Sequence, residues 1–338
     1  MNRASVIRLL VVAGIAAGLA WWGVRTLLPA KMVEDHAGLL TQEQNAWVSE
    51  YHQFLLRDHD IDYRVVSENK VADINQMAVK TFERLGDGMR STTGRGLLLV
   101  IAPDEKLVRL EVSRSLEPVY TDAFVKYIEE RQMVPFFASG RIADGILATT
   151  EMIVTRAQEA RANVEFDASR HASKSAGGGA VSRIENAAKN AARGDGGFTP
   201  GATPGDTLKS YLTAMAARNS SPDLEIYTDE TRTMLKSWTV TPAQMDNEVK
   251  SHRKCASQGT RARGQYAVIR YRIKDRLCAP YFFHKSGEGW QLDLTMMQKA
   301  IRFNQSNYWR FDMSVTHAYA FAFDDWRFDK NGFPIAVK

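Results

Sequence analysis

The chain has 338 residues, a formal net charge of +5, 44% hydrophobic residues and 25% charged residues. That composition excludes a disordered polyelectrolyte and leaves room for two ordinary folded domains. The charge excess is modest and suits contact with anionic lipid headgroups better than nucleic acid. Taken in chain order, residues 9–24 come first, reading LLVVAGIAAGLAWWGV with no charge. At about 1.5 Å per residue this run falls short of the roughly 30 Å hydrocarbon core, but Val6, Ile7, Leu27 and Leu28 extend it. Arg8 and Arg25 can snorkel to the two interfaces, with Trp21 and Trp22 at the level of an aromatic belt. Arg3 and Arg8 favour a cytoplasmic N-terminus, a bias that Arg25 and Lys31 weaken. A cleaved signal peptide competes with the anchor, although Leu28-Pro29-Ala30 is a poor small-x-small cleavage site. Both alternatives export the remainder. The expectation is a transmembrane anchor over residues 1–30 of a single-pass inner-membrane protein, with the bulk of the chain periplasmic.

Residues 31–163 alternate helical and strand patterns. Thr41 and Gln44 form a capping-box pair that starts a helix running to about Asp58, with Trp47, Tyr51, Phe54 and Leu55 on one face. Residues 61–66 alternate as a strand. Asp73 caps a second helix carrying Ile74, Met77, Ala78 and Phe82. Residues 96–102, GLLLVIA, form an unbroken apolar run, the pattern of a strand buried on both faces. A turn at 103–106 leads into an alternating strand over 107–113, with Val108, Leu110 and Val112 on one side and Arg109 and Glu111 on the other. Thr121-Asp122 opens a further helix, and a last one covers 142 to about 158. The prediction is an α/β domain with a central sheet flanked by helices and at least one antiparallel hairpin. Asp60-Ile61-Asp62 lacks the residues that follow an aspartyl nucleophile and reads as surface charge.

Six pieces of this segment occur in an order that resembles the TPM domain. That fold is shared by a chloroplast thylakoid acid-phosphatase-like protein and an auxiliary subunit of a nematode acetylcholine receptor. The pieces are Val33-x-Asp35-x-Ala37-Gly38-Leu39-Leu40, Gly96-Leu97-Leu98-Leu99-Val100, Val108-Arg109-Leu110-Glu111-Val112, Thr121-Asp122, Met133-x-Pro135-x-Phe137, and Gly140 through Gly145-Ile146. The resemblance spans about residues 32–160. It implies a possible divalent cation, Ca²⁺ or Mg²⁺, at Asp35, Glu111 and Asp122, because acidic residues at matching positions bind one in some members. Hard cations need clustered oxygen ligands. Against that stand an N-cap or helix-dipole role for Asp122 and an ion pair of Glu111 with Arg109 or Arg114. The chain departs from the family where a glycine-rich turn is replaced by Ser113-Arg114-Ser115-Leu116-Glu117. Phosphatase activity is implied by the resemblance alone: there is no phosphate cradle followed by Lys and no HExxH pattern.

Residues 164–203 are rich in Ala, Gly and Ser and read as a flexible linker, with a weak helix over 184–193. Residues 204–338 form a second, aromatic-rich α+β domain. Helices are expected over 207–218, 223–237 and 242–253, then strands over 265–274, 277–285 and 290–294 of a curved antiparallel sheet, with a hairpin turn at 287–289. Helices first and sheet after is similar, at fold level only, to the cone of nuclear transport factor and ketosteroid isomerase, and carries no activity with it. Cys255 and Cys278 are the only cysteines. In an oxidising compartment they can pair, and two buried thiols are the alternative. Between positions 250 and 276 there are nine Lys or Arg and one acid, Asp275. Arg270, Arg272 and Lys274 are expected on one strand face, either as a solvated surface or as a patch for anionic headgroups or an acidic partner.

The leading expectation is a membrane-anchored, non-catalytic module that binds lipid through its N-terminal helix and assembles or maintains other envelope proteins. A divalent-metal phosphatase and a small-molecule binder using the second domain are the alternatives. No nucleic-acid partner is expected.

Overall fold

A computed structural model describes residues 31–86, 88, 90–167 and 197–335. The expected anchor over 1–30 lies outside the described residues, as does most of the expected linker, including the weak helix over 184–193. Among the described residues no helix is long and apolar enough to cross a membrane.

The first domain is built on a four-stranded sheet ordered β1 (Val33–Asp35), β2 (Asp62–Ser67), β3 (Gly96–Ala102) and β4 (Leu107–Val112). β1, β2 and β3 run parallel, and β4 returns antiparallel through the turn after Ala102. Every residue of β3 is buried, as its unbroken apolar run requires. Its side chains alternate between two cores. Leu97, Leu99 and Ile101 join Val108 and Leu110 against α1 (Gln42–His59) and α5 (Ile142–Arg161), while Leu98, Val100 and Ala102 meet Ile74 and Ala78 of α2 (Ile74–Leu85). The strands advance in one direction while α1 and α2 cover opposite faces. One of the two parallel crossovers is therefore left-handed, against the usual rule.

Local chemistry sets the helix ends. Thr41 Oγ1 accepts from Gln44 N at 3.2 Å and Gln44 Oε1 accepts from Thr41 N at 2.9 Å, closing the expected capping box of α1. Asp60 ends it in the left-handed region at φ 54°. Asp73 caps α2 through the amides of Asn75 and Gln76. The helix opened by Thr121 is interrupted: α3 (Asp122–Tyr127) passes into a π-helical turn over Ile128–Met133 before α4 (Val134–Ala138). Pro135 cannot supply the N–H that an α-helix would offer to the carbonyl of Arg131, and the widened turn precedes it.

In the second domain α6 (Pro204–Ala216), α7 (Asp229–Lys236) and α8 (Pro242–His252) precede a four-stranded antiparallel meander, β5 (Ser257–Arg263), β6 (Tyr266–Tyr271), β7 (Tyr281–Ser286) and β8 (Gly289–Leu292). β5 escaped the sequence reading because SQGTRAR has no apolar alternation; it is an edge strand exposed along its whole length. One face of the sheet packs on α6 and α8 through Ile269, Tyr281, Phe283 and Leu292. The other buries Val268 and Phe282 under the C-terminal segment, where Phe311, Tyr319 and Phe323 complete an aromatic core. A disulfide joins Cys255, just after α8, to Cys278, just before β7.

The two domains touch directly. Ala243 at the start of α8 packs into the first domain's core. Tyr127 donates to Asp246 at 3.1 Å, Thr241 donates to Gln132, and Lys250 donates to Glu159 at 2.7 Å. On the other side of the junction Gln158 donates to the Ser306 carbonyl and Asn307 donates to Thr155, each at 2.9 Å. These contacts, rather than the reach of a flexible linker, set the distance between the domains.

Candidate functional site

The three carboxylates singled out by resemblance are not brought together. Asp35 ends β1 opposite Ser67, which lies level with Ile101 and Val108 across the sheet. Glu111 sits opposite Leu98, three residues further along β4. Three strand spacings and three residues of rise place the two backbones about 17 Å apart. By strand alternation they also point to opposite faces, Asp35 with Val33 toward α1 and Glu111 with Leu98's partners toward α2. Asp122 is exposed in the first turn of α3, where Thr121 is the cap. A shared cation needs all its oxygens within roughly 2.3–2.6 Å of one point, so these three residues do not fit one site. Among the described residues no three His, Cys, Asp or Glu side chains form a metal cluster.

Each carboxylate has a local task instead. Asp35 accepts from the amides of Leu39 at 3.0 Å and Leu40 at 2.8 Å and from the Ser67 hydroxyl, pinning the loop before α1 to the end of β2. Burial works against its charge, but Ser67 and the amides of Leu40, Leu39 and Gly38 outweigh it and hold the carboxyl below the usual range. Glu111 accepts from Arg109 Nε at 2.7 Å. The serine-rich turn that replaces the family glycines is a short 3-10 helix over Arg114–Leu116, entered from Ser113 at φ −66°, so it needs no left-handed residue. Arg114 is exposed.

Two further readings are corrected by burial. Asp62 is not surface charge: it is 2% exposed and takes both Nε (3.1 Å) and Nη2 (3.0 Å) of Arg64. For Asp60, by contrast, burial opposes the charge, but the hydrogen bonds it accepts from Thr93 and Thr92 together outweigh that and hold its carboxyl pKa at about 2. The basic strand face also dissolves. β6 stops at Tyr271, and Arg270 is buried at 7% exposure, donating to the Ala322 carbonyl and Asp325 beneath the ring of Trp326. Arg272 pairs with Asp275 at 2.8 Å outside the strand. Of the three, Lys274 stays exposed, with no ion pair among the described residues.

Where the domains meet, α5 and α8 form two walls of a cleft of about 670 Å³, closed by the loop between β6 and β7 and by residues near β9 (Ile301–Phe303). Its size and its place between domains are those of a ligand site. Glu248 projects from α8 and accepts from the hydroxyl of Tyr281. Burial raises its carboxyl pKa, only partly offset by that hydrogen bond. Tyr211, Tyr227, Tyr271 and Tyr281 lie near the same carboxylate, and burial first, then its charge, raises each of their phenols above the ordinary value. Across the cleft, burial pushes Glu151 of α5 up to about 7. His252, also in the wall, meets the Tyr271 hydroxyl at 3.0 Å, and burial lowers its pKa. Leu277, Phe303 and Tyr308, all at least 40% exposed, form an apolar rim. The disulfide clamps the cleft wall through Cys255 and Cys278.

Sequence reading missed this site because its residues come from segments some 100 positions apart that meet only after the domains dock. The visible signals were an acid, Glu248, one turn before His252 on α8, and the tyrosines of β6 and β7.

The comparisons bear on the first domain. The solution NMR structure of the N-terminal domain of a protein from P. gingivalis is similar, at 25% identity, covering 43% of this chain and 92% of that one with a TM-score of 0.36. No curated protein matches the chain. The family model of the TPM domain matches residues 33–156, the segment holding the four-stranded sheet and its helices, and this segment is a TPM domain.

Proposed function

We propose that this chain is a membrane-tethered, extracytoplasmic and non-catalytic binding module that helps assemble or maintain other envelope proteins. The TPM domain and the second domain act together as one recognition body. The observation that carries the reading is the cleft between them: a ligand-sized space with an apolar rim and buried polar groups, formed only by docking. The uncharged run over 9–24 supports the tether, and the Cys255–Cys278 disulfide supports an oxidising compartment. Lipid contact is assigned to the N-terminal segment. The basic residues of the second domain are mostly committed to ion pairs and do not form a headgroup patch.

Two experiments test it. A periplasm-dependent reporter fused at the C-terminus should be active, and activity of a cytosol-dependent reporter alone would refute the topology. Pull-down of the full chain from detergent extract should recover a stoichiometric envelope protein, lost when bulky residues fill the cleft at Ala148 and Ser251. Recovery of no partner would refute the assembly role. Phosphatase chemistry is not proposed, because Asp35 and Asp122 serve loop and helix-end roles at separate places.

A further inference from the structure

Charge accounting inside the cleft identifies what it would take. Among its lining residues Glu159 is bound by Lys250 and Lys254, and Asp275 by Arg272. Four charged side chains remain without an ion pair among the described residues: the acids Glu151 and Glu248, and the bases Lys274 and Arg276. The acids stand on α5 and α8, and the bases share the disulfide-clamped loop between β6 and β7. Arg276 Nη1 is buried with no hydrogen-bond partner among the described residues. Buried polar groups are normally satisfied, and the exceptions in a cavity mark places where a ligand can supply the missing partner.

We infer that the cleft binds a small zwitterion with an apolar body, a short peptide with free ends, its ammonium directed to Glu248 and Glu151 and its carboxylate to Arg276 and Lys274. The inference rests on reading the cleft as the recognition site. An ammonium near Glu248 would gain a charged acceptor and the faces of Tyr271 and Tyr281, which favour cations. A guanidinium is the usual fork for a carboxylate. The side-chain amide of Asn247 also lines the cleft and can bond a peptide unit, while the rim formed by Leu277, Phe303 and Tyr308 suits apolar side chains. A ligand carrying only one charge would leave either the two acids or the buried Arg276 Nη1 unpartnered, at the cost that buried polar groups impose. Burial already disfavours the ionised form of both acids, and a bound cation would relieve that.

Isothermal titration of the full-length chain in detergent with leucyl-leucine, N-acetyl-leucyl-leucine and leucyl-leucine amide tests this directly. Saturable one-site binding of the free dipeptide is expected, with a loss of at least about tenfold when either end is capped, the scale of one charged hydrogen bond. Glu248→Gln should weaken the free dipeptide but leave the N-acetyl form unchanged, and Arg276→Gln should do the same for the amide. Lys274→Gln, on an exposed side chain, provides a variant with no folding cost if either of the others fails to fold. Absence of binding by the free dipeptide, equal binding of the capped forms, or full binding by Lys274→Gln together with a folded Glu248→Gln would overturn the inference. The reporter and pull-down outcomes are independent of this titration, so the two readings fail separately.

Discussion

Asp35 and Glu248 are both half-buried carboxylates in helix-and-sheet surroundings, yet they are used in opposite ways. Both Asp35 oxygens are committed, to two backbone amides and one hydroxyl supplied by its own loop and the neighbouring strand. Glu248 has one hydroxyl donor, a ring of aromatic neighbours and an open cleft beside it. The first arrangement is complete and holds the backbone in place. The second is incomplete and leaves interaction capacity for something that is not part of the chain. A carboxylate at a family-typical position can thus be architectural, while the carboxylates with spare hydrogen-bonding capacity lie where the two domains meet.

The comparison can be broken most sharply at Arg270, the residue that looks like surface charge in sequence but is buried. Arg270→Ala should cost about 3 kcal/mol in denaturant unfolding, because it leaves the buried Ala322 carbonyl without its donor and empties the space beneath Trp326. A loss under about 0.5 kcal/mol would mean that the tail does not dock as described. Glu129 provides a buried acid outside the cleft. It accepts from Leu110 N at 3.1 Å, its second oxygen has no partner among the described residues, and burial pushes its pKa up to about 8. A folded-state pKa above the unfolded value means the native state binds the extra proton, so stability falls as pH rises from about 4.5 toward 8. Glu129→Gln should remove this slope and gain about 3 kcal/mol relative to the parent between pH 5 and pH 8; parallel melting curves at the two pH values would contradict it.

Asp35→Ala should cost about 1–2 kcal/mol through lost hydrogen bonds. Ca²⁺ or Mg²⁺ should shift the melting temperature of parent and variant equally; a shift confined to the parent would restore the cation reading. Arg272→Ala is expected to change stability by less than about 0.5 kcal/mol, since its pair with Asp275 is solvent-exposed. A larger loss there would show that the loop behind the cleft depends on this pair.

Much of the first domain was legible in the sequence because its signals are local. The Thr41–Gln44 box, the Asp73 cap, the unbroken run of β3 and the alternation of β4 each specify an element within ten residues. The π-helical turn before Pro135 and the edge strand β5 were not, since one depends on backbone accommodation and the other has no apolar alternation to read. The burial of Arg270 was hidden for a different reason: its partners Ala322 and Asp325 lie more than 50 positions away. The cleft was the least legible feature. Glu151 looks like an ordinary helix-surface acid, and nothing near it in sequence announces that α8 will close over it.

Glu151 therefore offers the most direct measurement. Its carboxyl carbon, followed by NMR through a pH titration of the full chain with and without saturating leucyl-leucine, reports both its environment and its response to a bound cation. The account predicts a midpoint of about 7 in the free protein that falls when the dipeptide binds. A midpoint already in the ordinary carboxylate range, or one that does not move on binding, would contradict the claim that docking of the two domains creates a recognition site.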